Sequence, residues 1–166
     1  MSIIIPAAVG ILMLIADQIT KAVVVSYFSG ANASVPVIKG VLSFCFVENN
    51  GAGFSILAGN TLFLIIFTAV AMVLVAYLLF SRRFHSPLTD WGFCLILSGG
   101  LGNFIDRVCR DGLVVDFIKT DFMNFPVFNV ADICVTVGAA FVILYFVLDT
   151  VREYKTKKGS VDNGNA

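Results

Sequence analysis

Gly99-Gly100-Leu101-Gly102-Asn103-Phe104-Ile105-Asp106-Arg107 closes one hydrophobic segment, and Gly112-Leu113-Val114-Val115-Asp116-Phe117 follows after a short turn. Phe128-Asn129-Val130-Ala131-Asp132 then opens the next hydrophobic segment. Polar and charged groups beside a bilayer are costly, so Asp116, Asp132 and their Asn and Arg neighbours need a reason. The fold depends on whether the flanking segments cross a membrane.

Composition says that they do. Of 166 residues, 58% are hydrophobic and 13% charged. A soluble domain is roughly half apolar and a quarter charged. The length suits one domain, so residues 1–166 are read as a single integral membrane unit. Eleven basic residues balance eleven acidic ones, and no basic stripe is present, which argues against a nucleic-acid partner.

Working outward, Trp91 to Ile105 is the span that leads into the polar stretch, and Ile133 to Leu148 the span that leaves it. Ser98, Gly99, Gly100 and Gly102 make the former rich in small residues, which let helices in lipid approach closely. Thr61 to Phe80 is twenty residues without a charge, enough to cross roughly 30 Å of hydrocarbon. Ile3 to Val25 is the first span, interrupted by Asp17, Gln18 and Lys21 in its last third. Asp17 and Lys21, four apart, share a helix face with Thr20 beside them. A cleaved signal peptide ending near Ala31-Asn32-Ala33 is the competing reading, but no Lys or Arg precedes the apolar run.

Between the spans, residues 26–59 and 106–131 are less apolar. Val35 to Val47 is rich in β-branched and aromatic residues, which suggests one or two short strands. Val114-Val115 before Asp116 suggests another, and Asn49-Asn50-Gly51-Ala52-Gly53-Phe54 reads as a tight turn. Ser81 to Asp90 is a polar connector, and residues 150–166 form a frayed tail.

Four crossings put Asp17/Lys21, Asn49/Gly51, Asn103/Asp106/Arg107, Asp116 and Asn129/Asp132 at one face of the membrane. The other face receives Arg82, Arg83 and the basic residues of the tail, six against five. Excess Lys and Arg mark the cytoplasmic side, so the polar cluster faces outward and both termini inward.

Two carboxylates held close together share a proton, and one can act as base on water while the other acts as acid on a scissile carbonyl. Asp116 and Asp132 are 16 residues apart, so the fold must bring them together. Asn129 stands three before Asp132 and Thr136 four after it, on a shared face, and Asn103 and Arg107 are also four apart. A structural network, with Arg107 pairing Asp106 or Asp116, accounts for the same spacing. The four cysteines, Cys45, Cys94, Cys109 and Cys134, lack metal-ligand spacing and read as small hydrophobes. The lone His85 sits in the polar connector, which leaves no Ser/His or Cys/His arrangement.

These residues carry a resemblance. Asp17-Gln18-Ile19-Thr20-Lys21, Asn49 to Phe54, Gly99 to Arg107, Gly112 to Phe117 and Phe128 to Asp132 resemble, in order, five motifs of lipoprotein signal peptidase (signal peptidase II), a bacterial inner-membrane aspartic protease family. Gly53 and Leu101 stand where the family usually has Ala. The resemblance implies an all-α polytopic membrane protein with four transmembrane helices and a small extracytoplasmic β-sheet cradle. It implies a catalytic pair, Asp116 and Asp132. Asn49, Gly51, Asn103, Arg107 and Asn129 would hold substrate or orient the pair, with Asp17 and Lys21 as structural support.

It further implies a diacylglyceryl-modified prolipoprotein substrate cut on the amino side of the lipidated cysteine. Membrane lipids surround the site, globomycin-type and myxovirescin-type inhibitors block it, and no metal or organic cofactor is needed. The chain is read as a monomer. The rival class is a small transporter or ion-binding bundle that uses the aspartates as a relay, which requires carboxylates strung along a path through the bilayer.

Overall fold

The computed structural model describes residues 3–28, 34–51 and 59–164, with side chains as far as Lys157. The Ala52-Gly53-Phe54 half of the tight turn and the Ala31-Asn32-Ala33 site lie outside the described residues. Four helices and three strands follow in the order α1 (Ile4–Phe28), β1 (Val35–Ile38), β2 (Leu42–Asn49), α2 (Thr61–Ser81), α3 (Pro87–Cys109), β3 (Val114–Thr120) and α4 (Val130–Gly164). Among the described residues, α1, α2 and the Val130–Lys157 part of α4 are long and apolar enough to cross a membrane. The fold is thus mostly helical with a small antiparallel sheet.

α3 is less apolar because it is the interior helix, packed against α1, α2 and α4. Its packing on α4 depends on glycine. A Cβ on Gly92 would stand 2.6 Å from Val142 Cγ2, and one on Gly138 would stand 2.6 Å from Gly92 O. Only bare backbone permits that approach. α2 is the opposite case. It is hydrophobic all round, buries only Leu64 and Leu79, and leans chiefly on α3.

The helix boundaries differ from the sequence reading: α1 runs on to Phe28, α3 runs on to Cys109, and α4 opens at Val130. α3 starts at Pro87, not Trp91, because Ser86 and Thr89 form a reciprocal capping box with Pro in the first turn. Asp90, which reads as part of a solvated connector, is 4% exposed and pairs with Arg82 at 3.0 Å. α4 does not fray at residue 150 but continues to Gly164. Hydropathy ends near Leu148, yet Arg152, Glu153, Lys155 and Lys157 are good helix formers.

The sheet runs β1-β2-β3, antiparallel throughout. β2 and β3 pair Phe44 with Ile118, then Val47 with Asp116, so a bulge on β2 absorbs one extra residue. Val24 and Phe28 at the end of α1 pack with Val115, Phe117 and Ile118 of β3, fixing the sheet to the helices. Beyond β3 the chain turns back. Ile118 N donates to Phe128 O at 2.8 Å and Phe128 N to Ile118 O at 3.1 Å. That bridge delivers Asn129 and the start of α4 beside Asp116.

Candidate active site

α4 begins with a reciprocal cap. Asp132 N donates to Asn129 Oδ1 at 3.0 Å, and Asn129 N donates to Asp132 Oδ2 at 3.1 Å. This is a capping box with Asp in the place of the usual Glu. The three-residue spacing, which reads in the sequence as a shared helix face, is a helix start. The cap fixes the rotamer of Asp132 and places its carboxylate at the positive end of the helix dipole. The adjacent Ala131 N donates to Asp17 Oδ1 at 2.9 Å.

Asp116 comes from the middle of β3 and is 2% exposed. Asn129 Nδ2 donates to its Oδ1 at 2.6 Å, and Asn49 Nδ2 donates to its Oδ2 at 2.9 Å. Asn129 therefore holds both aspartates, one by its side chain and one by its backbone. Asn103 adds a second link, donating from Nδ2 to Asp132 Oδ1 at 2.8 Å. Burial pushes the Asp116 carboxyl up to about 6. The Asn49 amide opposes this, the nearby Asp132 charge adds to it, and Asn129 and Lys21 oppose it.

Arg107 is buried, yet it pairs neither aspartate directly. Its Nη2 donates to Gly51 O at 2.7 Å and its Nη1 to Asn103 O at 3.4 Å. Gly51 N in turn donates to Asn49 Oδ1 at 2.9 Å. The guanidinium thus holds the end of the β2 segment over the site. Gly51 contributes backbone, not a side-chain-free surface alone.

Beneath this lies a buried ionic group. Lys21 Nζ is 2.9 Å from Asp17 Oδ2 and 3.0 Å from Asp106 Oδ2, with all three side chains at most 1% exposed. In the sequence Asp106 is legible only as a possible partner for Arg107. It instead takes Lys21 and accepts from Val115 N at 3.1 Å. Gln18 also reaches the group, donating to Asp17 Oδ2 and to Gly102 O, each at 3.1 Å. Thr20 does not, since its hydroxyl bonds back to Ala16 O at 2.7 Å.

Asp116, Asp132, Asn49, Asn103 and Arg107 line one cavity of about 840 Å³. Its further walls are largely apolar, from Phe67 and Met72 of α2, Ile96 of α3 and Val137 of α4, with Glu48 at the β2 side and Thr136 one turn below Asp132. Leu101 is exposed on the outside of α3 and takes no part in this wall. Cys94 and Cys134 are buried as small hydrophobes, whereas Cys109 is exposed at the end of α3.

Two carboxylates, Asp116 buried and Asp132 half-buried, cross-bridged by amides in a cavity with a greasy floor, are suited to acid–base hydrolysis. A model of the family described as signal peptidase (SPase) II matches residues 9–148. The chain belongs to the signal peptidase II family. The lipoprotein signal peptidase of Lactiplantibacillus plantarum is 42% identical over 132 residues, covering 80% of this chain and 87% of that protein. That of Enterococcus faecalis is 42% identical over 123 residues, covering 74% and 76%. Two solved bacterial membrane enzymes are similar in structure. One has a TM-score of 0.81 at 33% identity, covering 87% of this chain and 88% of its own. The other has 0.76 at 32%, covering 85% and 91%. As a signal peptidase II, the chain is an aspartic peptidase and a multi-pass bacterial membrane protein.

Within this signal peptidase II, every predicted site residue joins one connected network. Asp17 and Lys21 form its base, and Asn49, Gly51, Asn103, Arg107 and Asn129 form its walls.

Proposed function

We propose that Asp116 and Asp132 are the catalytic pair of a peptidase that removes signal peptides from diacylglyceryl-modified prolipoproteins. The observation that carries this is the single Asn129 residue bridging both carboxylates, at 2.6 Å and 3.1 Å, inside one cavity. Like charges so held share one proton. The ionised member takes a proton from water as the hydroxide attacks the scissile carbonyl carbon. The protonated member stabilises the new oxyanion. Collapse then breaks the C–N bond, and the departing amine takes a proton from the pair.

Burial that keeps Asp116 near 6 supports a pair holding one proton close to neutral pH. Asn49 and Arg107 border the path where an extended peptide would lie, and the wall from Phe67 to Val137 suits two acyl chains. The cut falls on the amino side of the lipidated cysteine. Globomycin-type and myxovirescin-type compounds would occupy the same cavity.

The membrane frame is part of this reading. α3 is a crossing too, the third in chain order, its polar residues tolerated because they face protein and not lipid. Arg82, Arg83, Arg152, Lys155, Lys157 and Lys158 support a cytoplasmic α2–α3 connection and tail, with the cavity opening outward and both termini inside. A relay through the bilayer is disfavoured, because Asp17, Asp106, Asp116 and Asp132 gather in one network instead of being strung across the helices.

Incubation with a diacylglyceryl-modified prolipoprotein tests it. Asp116→Asn and Asp132→Asn should each abolish cleavage while leaving folded protein. Near-parent turnover by either variant removes the pair. Equal cleavage of the unlipidated prolipoprotein would remove the lipid-reading part of the proposal alone.

A further inference from the structure

Lys21 is 0% exposed, and its ammonium has three donors. Each has an acceptor: Asp17 Oδ2 at 2.9 Å, Asp106 Oδ2 at 3.0 Å and Asn103 Oδ1 at 3.0 Å. Each acceptor residue then makes one bond to an element that carries a catalytic aspartate. Asp17 Oδ1 takes the N–H of Ala131, the residue before Asp132. Asp106 Oδ2 takes the N–H of Val115, the residue before Asp116. Asn103 Nδ2 donates to the Asp132 carboxylate itself.

The third route has a chemical consequence. An amide presents an oxygen and a nitrogen of nearly the same shape. Asn103 could in principle offer either to Asp132, and the wrong one would set an oxygen against a carboxylate. The Lys21 ammonium and Asn129 Nδ2 both donate to Asn103 Oδ1, which turns Nδ2 toward Asp132. A scaffold role alone would need only the ion pairs with Asp17 and Asp106.

We infer that Lys21 is a positioning residue for the reaction: it locks the Asn103 amide with its nitrogen on Asp132 and holds the backbones before both aspartates in place. The inference rests on the Asp116–Asp132 reading. The charged groups around the pair are Asp17 and Lys21 from α1, Asp106 and Arg107 from α3, and Glu48 from β2, which borders the cavity. The Lys21 cation lowers the Asp116 carboxyl, so removing it favours protonation there and moves the rising limb of activity against pH to higher pH.

The test compares Lys21→Met with the double variant Asp17→Asn/Lys21→Met. The double variant keeps one net negative charge on the group, and the amide oxygen brought in by Asp17→Asn can still accept from Ala131 N. Both variants lose the bond to Asn103. Turnover is measured on a lipid-modified prolipoprotein peptide, per folded enzyme, with thermal melts alongside. The expected result in the double variant is a melt close to the parent's, little change in KM and a kcat lower by on the order of 100-fold. That is the cost of misplacing reacting groups by about 1 Å. Where Lys21→Met also folds, its rising pH limb should lie above the parent's. Parent-like kcat in the folded double variant overturns the inference. So does failure of both variants to fold, since Lys21 would then be scaffold. Asp116→Asn and Asp132→Asn, run in parallel, separate the two levels. Activity in those variants removes the catalytic pair itself, whereas their silence beside an active double variant removes only the role of Lys21.

Discussion

Replacing Asp116 by Asn should change how the stability of the protein depends on pH. The carboxyl lies near 6 in the fold, against an ordinary value of 3.8, with burial as the largest cause. A displacement of that size corresponds to about 3 kcal/mol. The sign follows from proton counting. Between pH 3.8 and about 6 the folded protein keeps a proton here that the unfolded chain has released. Stability from this group therefore falls as pH rises through that window. Below 3.8 the group imposes no penalty, and above about 6 it imposes the whole of it.

Asn carries no charge at any of these pH values, so the variant lacks the penalty. It does leave one amide donor facing Asn49 or Asn129, a roughly pH-independent cost of about 1–3 kcal/mol. The observable is thus the slope and not the offset. From about pH 4 to about 7.5 the variant should gain up to about 3 kcal/mol relative to the parent. Thermal unfolding of both proteins in the same detergent, at half-unit pH steps, measures it. Parallel stability curves across that range would refute the assignment of a raised, buried carboxyl at Asp116.

Gly138→Ala would set a methyl 2.6 Å from Gly92 O and 2.9 Å from Ile96 Cγ1, forcing α3 and α4 apart. A lower melting temperature, worth about 1–3 kcal/mol, is expected together with reduced kcat, because Asn103 on α3 must reach Asp132 on α4; unchanged melts and kinetics would contradict this packing. Arg107→Lys keeps the charge but cannot span Gly51 O and Asn103 O as a fork does, so cleavage should fall although the protein folds. Parent-like kinetics in that variant would remove the clamp on the Gly51 segment from the mechanism.

Much of the architecture is legible in the sequence because lipid demands long apolar helices. Hydropathy locates α2 to within a residue and α1 to within three. It cuts α3 short because Asp90 looks like solvent-facing charge, although Ser86-Pro87-Leu88-Thr89 already spells a helix start. It cuts α4 short for the converse reason, since hydropathy measures the membrane and not the helix.

The aspartates and their amide partners stand out as polar residues in an apolar chain. Their wiring does not. Lys21 and Asp106 are far apart in sequence, and nothing local to either predicts a buried ion pair. The Asn129–Asp132 cap is the one missed link with a local signature, because an Asn three residues before an Asp at the start of an apolar run can be read as a helix N-terminus.

The bulge in β2 gives the chain a spare residue between two demands. At one end Phe44 must meet Ile118 and pack on the sheet's buried cluster; at the other Asn49 must sit opposite Val114, on the side where Asp116 points. Counted regularly from Phe44, the place opposite Val114 would fall to Glu48, and a carboxylate would face Asp116 where an amide now meets it at 2.9 Å. The bulge takes up the difference, so the register of the packing end and the register of the catalytic end are set independently. Loss of one residue between Phe44 and Asn49 could be met by straightening the strand, which leaves Asn49 opposite Val114. Loss of a second has nothing left to draw on, and it turns the amide to the far face. Along this part of β2, the length of the chain is forgiving by one residue and no more.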